Sequence, residues 1–310
     1  MPQESFSHLL IIYIFIIFIF LFNALCFIPI GHLISNLMSK TYTLVSYSFN
    51  LLGSLLGIIL FIIFSFLETT PLIWIIFSLI LFIMIIRNHL KYYTLSIFSV
   101  LFLTILLSIN IKDDKETIYS PYQNISVQHI ASPINPIILQ NGHLFYQTIL
   151  NLSDNLLFTR ENEVLDVRIM GPKVNKTHEK EFYNLPYSIV KKKPNSILIV
   201  GSGAGNDVAS ANRYNIKKIT AVEIDPVIAD LGNKYHPELP YKNENVITVI
   251  DDARNYISKT NQSFDSIVYA LLDSQTNLSS KGGIRLDSYV YTVEAFKEAK
   301  GKLNKDGYIF

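Results

Sequence analysis

The first 111 residues consist mainly of long apolar runs, whereas the rest of the chain alternates short apolar runs with polar segments. Four of the long runs carry no charged residue, and they have about the length that a helix needs to cross a bilayer core of about 30 Å. These runs are Leu9–Ile30, Leu44–Leu67, Pro71–Ile86 and Tyr92–Ile109. The pattern predicts a four-helix transmembrane region over 1–111.

The middle of the chain, 112–193, predicts a small β-rich domain and a linker. Its apolar runs are short, and Asn141-Gly142 between two of them is typical of a hairpin turn. The predicted strands are Asn124–Gln128, Pro136–Leu139, His143–Leu150 and Leu165–Met170.

Residues 194–310 predict a doubly wound α/β sheet, because short apolar runs alternate there with helical patterns. The sequence predicts a helix over Val293–Leu303 and a further strand that begins at Tyr308. Because the chain stops at Phe310 inside that strand, we expect the sheet to lack its last elements. The other predicted strands are Ile197–Val200, Ile219–Val222, Val246–Ile250 and Ser266–Leu272.

Charge separates the two halves and excludes some classes of partner. Three basic and two acidic residues precede Ile111, and 23 of each sign follow it. This balance leaves no basic surface for nucleic acid, so we expect no nucleic-acid partner. The single Cys26 excludes a disulfide framework, and the seven histidines lack metal-ligand spacing, so we expect no metal site.

The strongest chemical signal is a glycine-rich turn, Gly201-Ser-Gly203-Ala-Gly205, directly after a buried strand. Glycines allow the turn and let the backbone approach a ligand closely. Glu223 ends the next strand, 20 residues after Gly203, where a carboxylate can accept protons from both ribose hydroxyls. The alternative is an ordinary strand-to-helix turn with a solvated glutamate.

The details of the turn favour a nucleoside without a pyrophosphate, as in sites of the S-adenosylmethionine type. A dinucleotide site would have glycine where Asn206 stands. Asp252 follows the third strand, where its carboxylate can accept from an adenine amino group while the backbone N–H of Ala253 donates to a ring nitrogen. Asp252 is also a candidate N-cap of the following helix.

From about Ser120 to Phe310 the sequence resembles the spermidine synthase family of aminopropyltransferases, and more closely its membrane-anchored bacterial relatives. The resemblance implies that Glu223 holds the ribose and Asp252 the adenine. It also implies that Gln123 and the loop 275–286 hold the amino acid-like tail of decarboxylated S-adenosylmethionine. The motifs that carry it are Ser120-Pro-Tyr122-Gln123-Asn-Ile, Pro186, Val222-Glu223-Ile224-Asp225, Asp252-Ala253, Asp273 and Tyr291-Thr-Val-Glu-Ala-Phe.

The sequence departs from that family where an amine acceptor would bind. Ala204 stands where the family has an aspartate in the glycine turn, and Ala270 stands at the position of its first aspartate after the fourth strand. That aspartate is the family's base, so Asp273 becomes our candidate catalytic carboxylate. The family's Tyr-His-Glu is reduced to a displaced His178-Glu179.

Three functions follow from these features. The first is a membrane-anchored aminopropyltransferase that uses decarboxylated S-adenosylmethionine and a small-molecule amine acceptor. The second is a methyltransferase that uses S-adenosylmethionine, and the third is a non-catalytic nucleoside-binding membrane protein. We expect a multi-pass protein in contact with membrane lipid, with its C-terminal domain in the cytosol where the nucleoside is found; association into a homo-oligomer is left open.

Overall fold

The computed structural model describes residues 6–86, 116–129, 137–141, 144–153, 176–270 and 286–310. The chain divides into two compact units, Met1–Ile63 and Phe64–Phe310. The predicted domain boundaries at 111 and 193 stay predictions.

Three apolar helices open the described chain: α1 (Phe6–Met38), α2 (Thr43–Phe66) and α3 (Pro71–Ile86). Within the described residues, α2 is the one helix that is long and apolar enough to cross a membrane, judged by length and composition. The four-span arrangement is therefore not supported by these helices. Its fourth predicted span, Tyr92–Ile109, lies outside the described residues.

An antiparallel sheet follows in the middle of the chain, as the short apolar runs predict. Its four strands pair in chain order. The predicted strand Leu165–Met170 lies outside the described residues, and a helix not predicted from the pattern, α4 (Lys176–Ser188), precedes the second sheet. The strands are β1 (Glu116–Tyr119), β2 (Asn124–His129), β3 (Ile137–Asn141) and β4 (Leu144–Ile149).

The second sheet is parallel throughout, and its five strands lie in the order β7-β6-β5-β8-β9. The order reverses at β5, and in such sheets ligands bind beyond the carboxyl ends of the strands at that reversal. This is the Rossmann-like architecture that the sequence predicts. Its elements are β5 (Ser196–Val200), α5 (Asn206–Arg213), β6 (Lys218–Glu223), α6 (Pro226–Tyr235), β7 (Val246–Ile250), α7 (Ala253–Lys259), β8 (Phe264–Tyr269), α8 (Val293–Lys300) and β9 (Leu303–Ile309).

Strand β5 is the centre of the core because both of its faces are covered. Ile197 and Ile199 are fully buried in a cluster that includes residues of α5, whereas Leu198 and Val200 are fully buried in a second cluster that includes residues of α7 and α8. A strand covered on both faces is a continuous apolar run. The buried strand therefore fixes the position at which the glycine turn begins.

The boundary between α8 and β9 differs from the prediction. The helix ends at Lys300, and the strand begins at Leu303, which pairs with Phe264. The predicted helix end at Leu303 and strand start at Tyr308 are therefore wrong. The reason is that Asn304-Lys305-Asp306 is exposed at the sheet edge, where polar side chains face water and the apolar pattern of a strand is lost.

Candidate functional site

The glycine turn after β5 has backbone angles that residues with a side chain rarely adopt. Gly201, Gly203 and Gly205 have φ values of 72°, 56° and 103°. A Cβ on Gly203 would lie 2.7 Å from Gln147 Oε1, and one on Gly205 would lie 2.7 Å from Pro240 Cγ. All three predicted glycines are therefore required by backbone angle, and Gly205 is also required by space.

Glu223 lies at the carboxyl end of β6 and is only 5% exposed. Its Oε2 accepts a hydrogen bond of 2.8 Å from the Gly203 N–H, and its Oε1 accepts one of 3.0 Å from the Asp225 N–H. Burial raises the pKa of Glu223, and the two backbone donors act against this rise. The side chain is not a solvated glutamate, because it ties the glycine turn to the end of the next strand.

Asp225 connects the two sheets at this point. Its Oδ1 accepts from the Val227 N–H and so caps α6, while its Oδ2 accepts from Ser120 Oγ at 2.7 Å and from Gln123 Nε2 at 3.1 Å. Ser120 and Gln123 belong to the turn between β1 and β2. Gln123 and Glu223, two predicted site residues, are therefore brought together through Asp225.

Tyr122 lies within electrostatic reach of several acidic residues at the same edge. The side chain is half exposed, and burial together with nearby carboxylates raises its pKa. No lysine, arginine or histidine of the described residues forms an ion pair with any of these carboxylates. The site therefore carries a concentrated negative charge. The carboxylates that act on Tyr122 belong to Asp225, Asp252, Asp251 and Glu223.

Asp252 and Ala253 begin α7, next to the end of β6 in the sheet. Asp252 Oδ1 accepts from the Asn255 N–H at 2.8 Å, which is the capping role that we considered as an alternative. This bond uses one of the two carboxylate oxygens. Asp251 directly precedes Asp252, and its backbone N–H donates to the Glu223 carbonyl at 3.0 Å. The predicted adenine contacts of Asp252 and Ala253 stay predictions.

Comparison with known proteins gives these features a context. Residues 179–310 match the model of the family described as the spermine/spermidine synthase domain. Residues 179–310 are thus similar to the spermine/spermidine synthase domain.

Two polyamine aminopropyltransferases are among the proteins to which the chain is similar. The one from Sulfurisphaera tokodaii is 32% identical over 136 residues, which cover 43% of this chain and 42% of the relative. The one from Thermoplasma volcanium is 29% identical over 93 residues, which cover 29% of this chain and 34% of the relative. The matches thus span less than half of either relative.

Among solved structures, the spermidine synthase from Thermotoga maritima is similar at 16% identity and a TM-score of 0.43, covering 62% of this chain and 54% of that one. The family match confirms the resemblance over residues 179–310, whereas the closer likeness to membrane-anchored relatives stays a prediction. It does not test the ligand roles of individual residues.

Two alanines occupy positions where the resemblance leads us to expect carboxylates in a spermine/spermidine synthase domain. Ala204 is 1% exposed and packs with apolar residues of α6 and the antiparallel sheet. Ala270 is 6% exposed, and its N–H donates to the Val200 carbonyl beside the glycine turn. Asp273 and the predicted loop 275–286 lie outside the described residues, so the catalytic role of Asp273 stays a prediction.

Three residues that shape the glycine turn were missed by the sequence analysis. Gly232 in α6 lies so close that a Cβ there would be 2.5 Å from the Ala204 carbonyl oxygen. The Tyr241 hydroxyl donates to the Gly203 carbonyl, and Gln147 Oε1 accepts from the Ala204 N–H at 3.3 Å. All three act across distant parts of the chain, so no local spacing indicates them.

Proposed function

We propose that this chain is a membrane-anchored aminopropyltransferase that uses decarboxylated S-adenosylmethionine and a small amine acceptor. The family match to residues 179–310 supports this reaction class. The choice of nucleoside rests on the acidic edge formed by Glu223, Asp225, Asp251 and Asp252, four carboxylates that all act on Tyr122. The backbone N–H groups of Asp225 and Asp251 both donate to Glu223, which places these residues together. Decarboxylated S-adenosylmethionine is purely cationic apart from its neutral adenosine, so an acidic edge favours it over the carboxylated form.

In the proposed reaction an uncharged amine nitrogen attacks the propyl carbon next to the sulfonium. The carbon–sulfur bond breaks, its electron pair stays on sulfur, and methylthioadenosine leaves. The new nitrogen–carbon bond leaves a proton on nitrogen, which a carboxylate accepts; Asp273 is our candidate for this base. The sulfonium is already a good leaving group, so orientation and proton removal supply the catalysis.

The nucleoside orientation follows from the positions of the carboxylates. Glu223 at the end of β6 would accept from the ribose hydroxyls, and Asp252 at the start of α7 would accept from the adenine amino group. Gln123, which contacts Asp225, would lie near the aminopropyl tail.

A methyltransferase on the same fold is the second candidate, and Ala204 and Ala270 favour it because both lack a carboxylate for an amine. Calorimetry of the purified full chain with the carboxylated and the decarboxylated nucleoside separates the two. We expect tighter binding of the decarboxylated form, with methylthioadenosine released when a diamine is added. A preference for the carboxylated form would favour methyl transfer, and binding without turnover would favour a non-catalytic protein.

The apolar helices support the membrane part of the proposal. The helix α2 has the length and composition of a span, and α1 and α3 contain shorter apolar segments, Leu10–Phe22 and Pro71–Met84. We propose that these helices anchor the chain in the membrane with the synthase domain in the cytosol, where the nucleoside is found.

A further inference from the structure

The last turn of α2 is joined to the β1–β2 turn by a hydrogen bond. The Ser65 hydroxyl donates to the Pro121 carbonyl at 3.2 Å, and both residues lie in the second compact unit of the chain, Phe64–Phe310. Pro121 directly follows Ser120, whose hydroxyl donates to Asp225 at 2.7 Å. The end of this apolar helix therefore lies beside the turn that contacts the candidate nucleoside site.

The residues after this contact mark the point where the apolar surface of α2 ends. Phe66 and Leu67 are 64% and 65% exposed, and the polar connection Glu68-Thr69-Thr70 then leads to α3. The indole N–H of Trp74 donates to Thr69 Oγ1 at 2.6 Å. Tryptophan is enriched at membrane–water boundaries, where its ring contacts lipid and its N–H a polar group. The connection between α2 and α3 thus has the features of a hairpin that turns at such a boundary.

The path from this boundary to the candidate site is short. Ser65 precedes Glu68 by three residues, which corresponds to roughly 5 Å along a helix axis. From Ser65, one hydrogen bond leads to the β1–β2 turn, and the bonds from Ser120 and Gln123 lead on to Asp225. Asp225 therefore lies on the order of 10 Å from the end of α2, which is about one Debye length at physiological ionic strength.

We propose that the end of α2 holds the β1–β2 turn, and with it the carboxyl edge of the parallel sheet, at the surface of the lipid bilayer. The interaction surface is this turn, in which Tyr122 is 54% exposed, and its partner is the headgroup layer. Tyrosine, like tryptophan, is enriched at this level of a membrane. The inference rests on the proposed anchoring by α2. Because the edge is itself acidic, its attachment to α2, rather than charge attraction, keeps it beside the headgroups.

This placement has a consequence for charged ligands. A membrane that contains anionic lipid has a negative surface potential, which decays over about a Debye length. Decarboxylated S-adenosylmethionine carries two positive charges, on its sulfur and on its primary amine, so such a surface concentrates it up to about tenfold. Methylthioadenosine is uncharged and is not concentrated. Anionic lipid should therefore strengthen the apparent binding of the first ligand and leave that of the second unchanged.

The first test measures how close the turn lies to the headgroups. In a full chain with Trp74→Phe, which removes the single tryptophan, the reporter is Tyr122→Trp and the matched control is Lys217→Trp. Lys217 is exposed and directly precedes β6, about 20 Å from the carboxyl end of that strand. The chain is placed in nanodiscs of phosphatidylcholine that carries a nitroxide on its headgroup. We expect strong fluorescence quenching of Tyr122→Trp and little of Lys217→Trp. Equal quenching of both, or none of Tyr122→Trp, overturns the proposal.

The second test uses the wild type, so it decides even if the reporter variant does not fold. Calorimetry compares nanodiscs of phosphatidylcholine alone with nanodiscs that also contain phosphatidylglycerol, with the heat from empty nanodiscs subtracted. With phosphatidylglycerol we expect about two- to tenfold tighter apparent binding of decarboxylated S-adenosylmethionine and unchanged binding of methylthioadenosine. High salt should remove the difference, because it screens the surface potential. An unchanged affinity for the cationic ligand, or an equal change for both ligands, contradicts the surface placement.

Failure of the proposed function gives a different result from failure of this inference. Strong quenching of Tyr122→Trp in a chain that binds neither ligand supports the surface placement and refutes the proposed reaction. Turnover of decarboxylated S-adenosylmethionine by a chain in which Tyr122→Trp and Lys217→Trp are equally quenched refutes the surface placement alone.

Discussion

Gly232 packs so closely against the glycine turn that no larger residue fits there. A methyl group there would meet the Ala204 carbonyl oxygen at 2.5 Å and Tyr241 Cε2 at 2.8 Å, and the first contact is backbone that cannot move freely. We expect Gly232→Ala to lower the free energy of unfolding by about 1–3 kcal/mol and to weaken nucleoside binding. Thermal unfolding and calorimetry measure both effects.

The control for that change is Gly57→Ala, at a helical glycine with nothing within 4 Å of the added Cβ. Unchanged nucleoside affinity in Gly232→Ala would show that the glycine turn does not shape the ligand site.

Glu223→Gln should weaken nucleoside binding by at least about tenfold, measured by calorimetry. The amide of glutamine carries no charge. Its NH₂ group would also face the backbone N–H of Gly203 or of Asp225, both of which donate hydrogen bonds to the carboxylate in the wild type. Asp273→Asn should leave nucleoside affinity near normal and lower turnover by roughly 10²–10⁴-fold, as expected for a base. Equal affinity losses in both variants would contradict the placement of the ribose at β6.

The raised pKa of Asp207 predicts a dependence of stability on pH. Because its folded pKa of about 7 exceeds the usual 3.8, the folded protein holds an extra proton between these values. The destabilisation caused by the buried charge of Asp207 is therefore absent below a pH of about 4 and complete above a pH of about 7. We expect Asp207→Asn to gain about 1–3 kcal/mol over the wild type at pH 8 and little at pH 4, in thermal unfolding. Identical gains at both pH values would contradict this cause.

The turn between β1 and β2 is held by a partner that is distant in sequence. Ser120 donates to Asp225, and Asp225 also caps α6. Because asparagine caps helices about as well as aspartate, Asp225→Asn mainly removes the charge that the turn contacts. A double-mutant cycle with Ser120→Ala should give a coupling energy of about 1–2 kcal/mol in unfolding.

The corresponding cycle of Ser120→Ala with Asp265→Asn is the control, since Asp265 accepts from Asn195 and Ser196 instead. That pair should be additive within about 0.5 kcal/mol. An equally small coupling energy between Ser120→Ala and Asp225→Asn would mean that other contacts hold the turn between β1 and β2.

The inner parallel strands β5, β6 and β8 were predictable because burial on both faces makes them continuous apolar runs. The edge strand β9 was predicted too short, since its exposed polar residues 304–306 break that pattern. Helix α4 was not predicted because its residues are mostly polar and it contains Pro186.

The candidate site likewise contains some residues that local sequence patterns indicate and others that they do not. Gly201, Gly203, Gly205 and Glu223 were found from local spacing, and the structure places them together. Gly232 and Tyr241 were not found as site residues, because their importance comes from packing between elements that are distant in sequence.

For the chain as a whole, membrane insertion of α2 gives a decisive test. With Cys26 changed to Ser, single cysteines placed at Lys40 and Glu68 flank this helix, and both positions are exposed. We expect a membrane-impermeant thiol reagent to label them from opposite faces of sealed vesicles, because a crossing helix separates its ends by the bilayer. A cysteine at Lys191 should be labelled from the cytosolic face, and labelling of Lys40 and Glu68 positions from one face would exclude a span.

The bond between Ser120 and Asp225 also affects how the protein is made. Its two partners are 105 residues apart, so the β1–β2 turn leaves the ribosome long before its anchor exists. At about 5–20 residues per second, that interval lasts roughly 5–20 seconds. During this time Gln123 has no Asp225 to hold it, and the acidic edge is incomplete. The proposed nucleoside site therefore cannot be complete until translation has passed the end of β6.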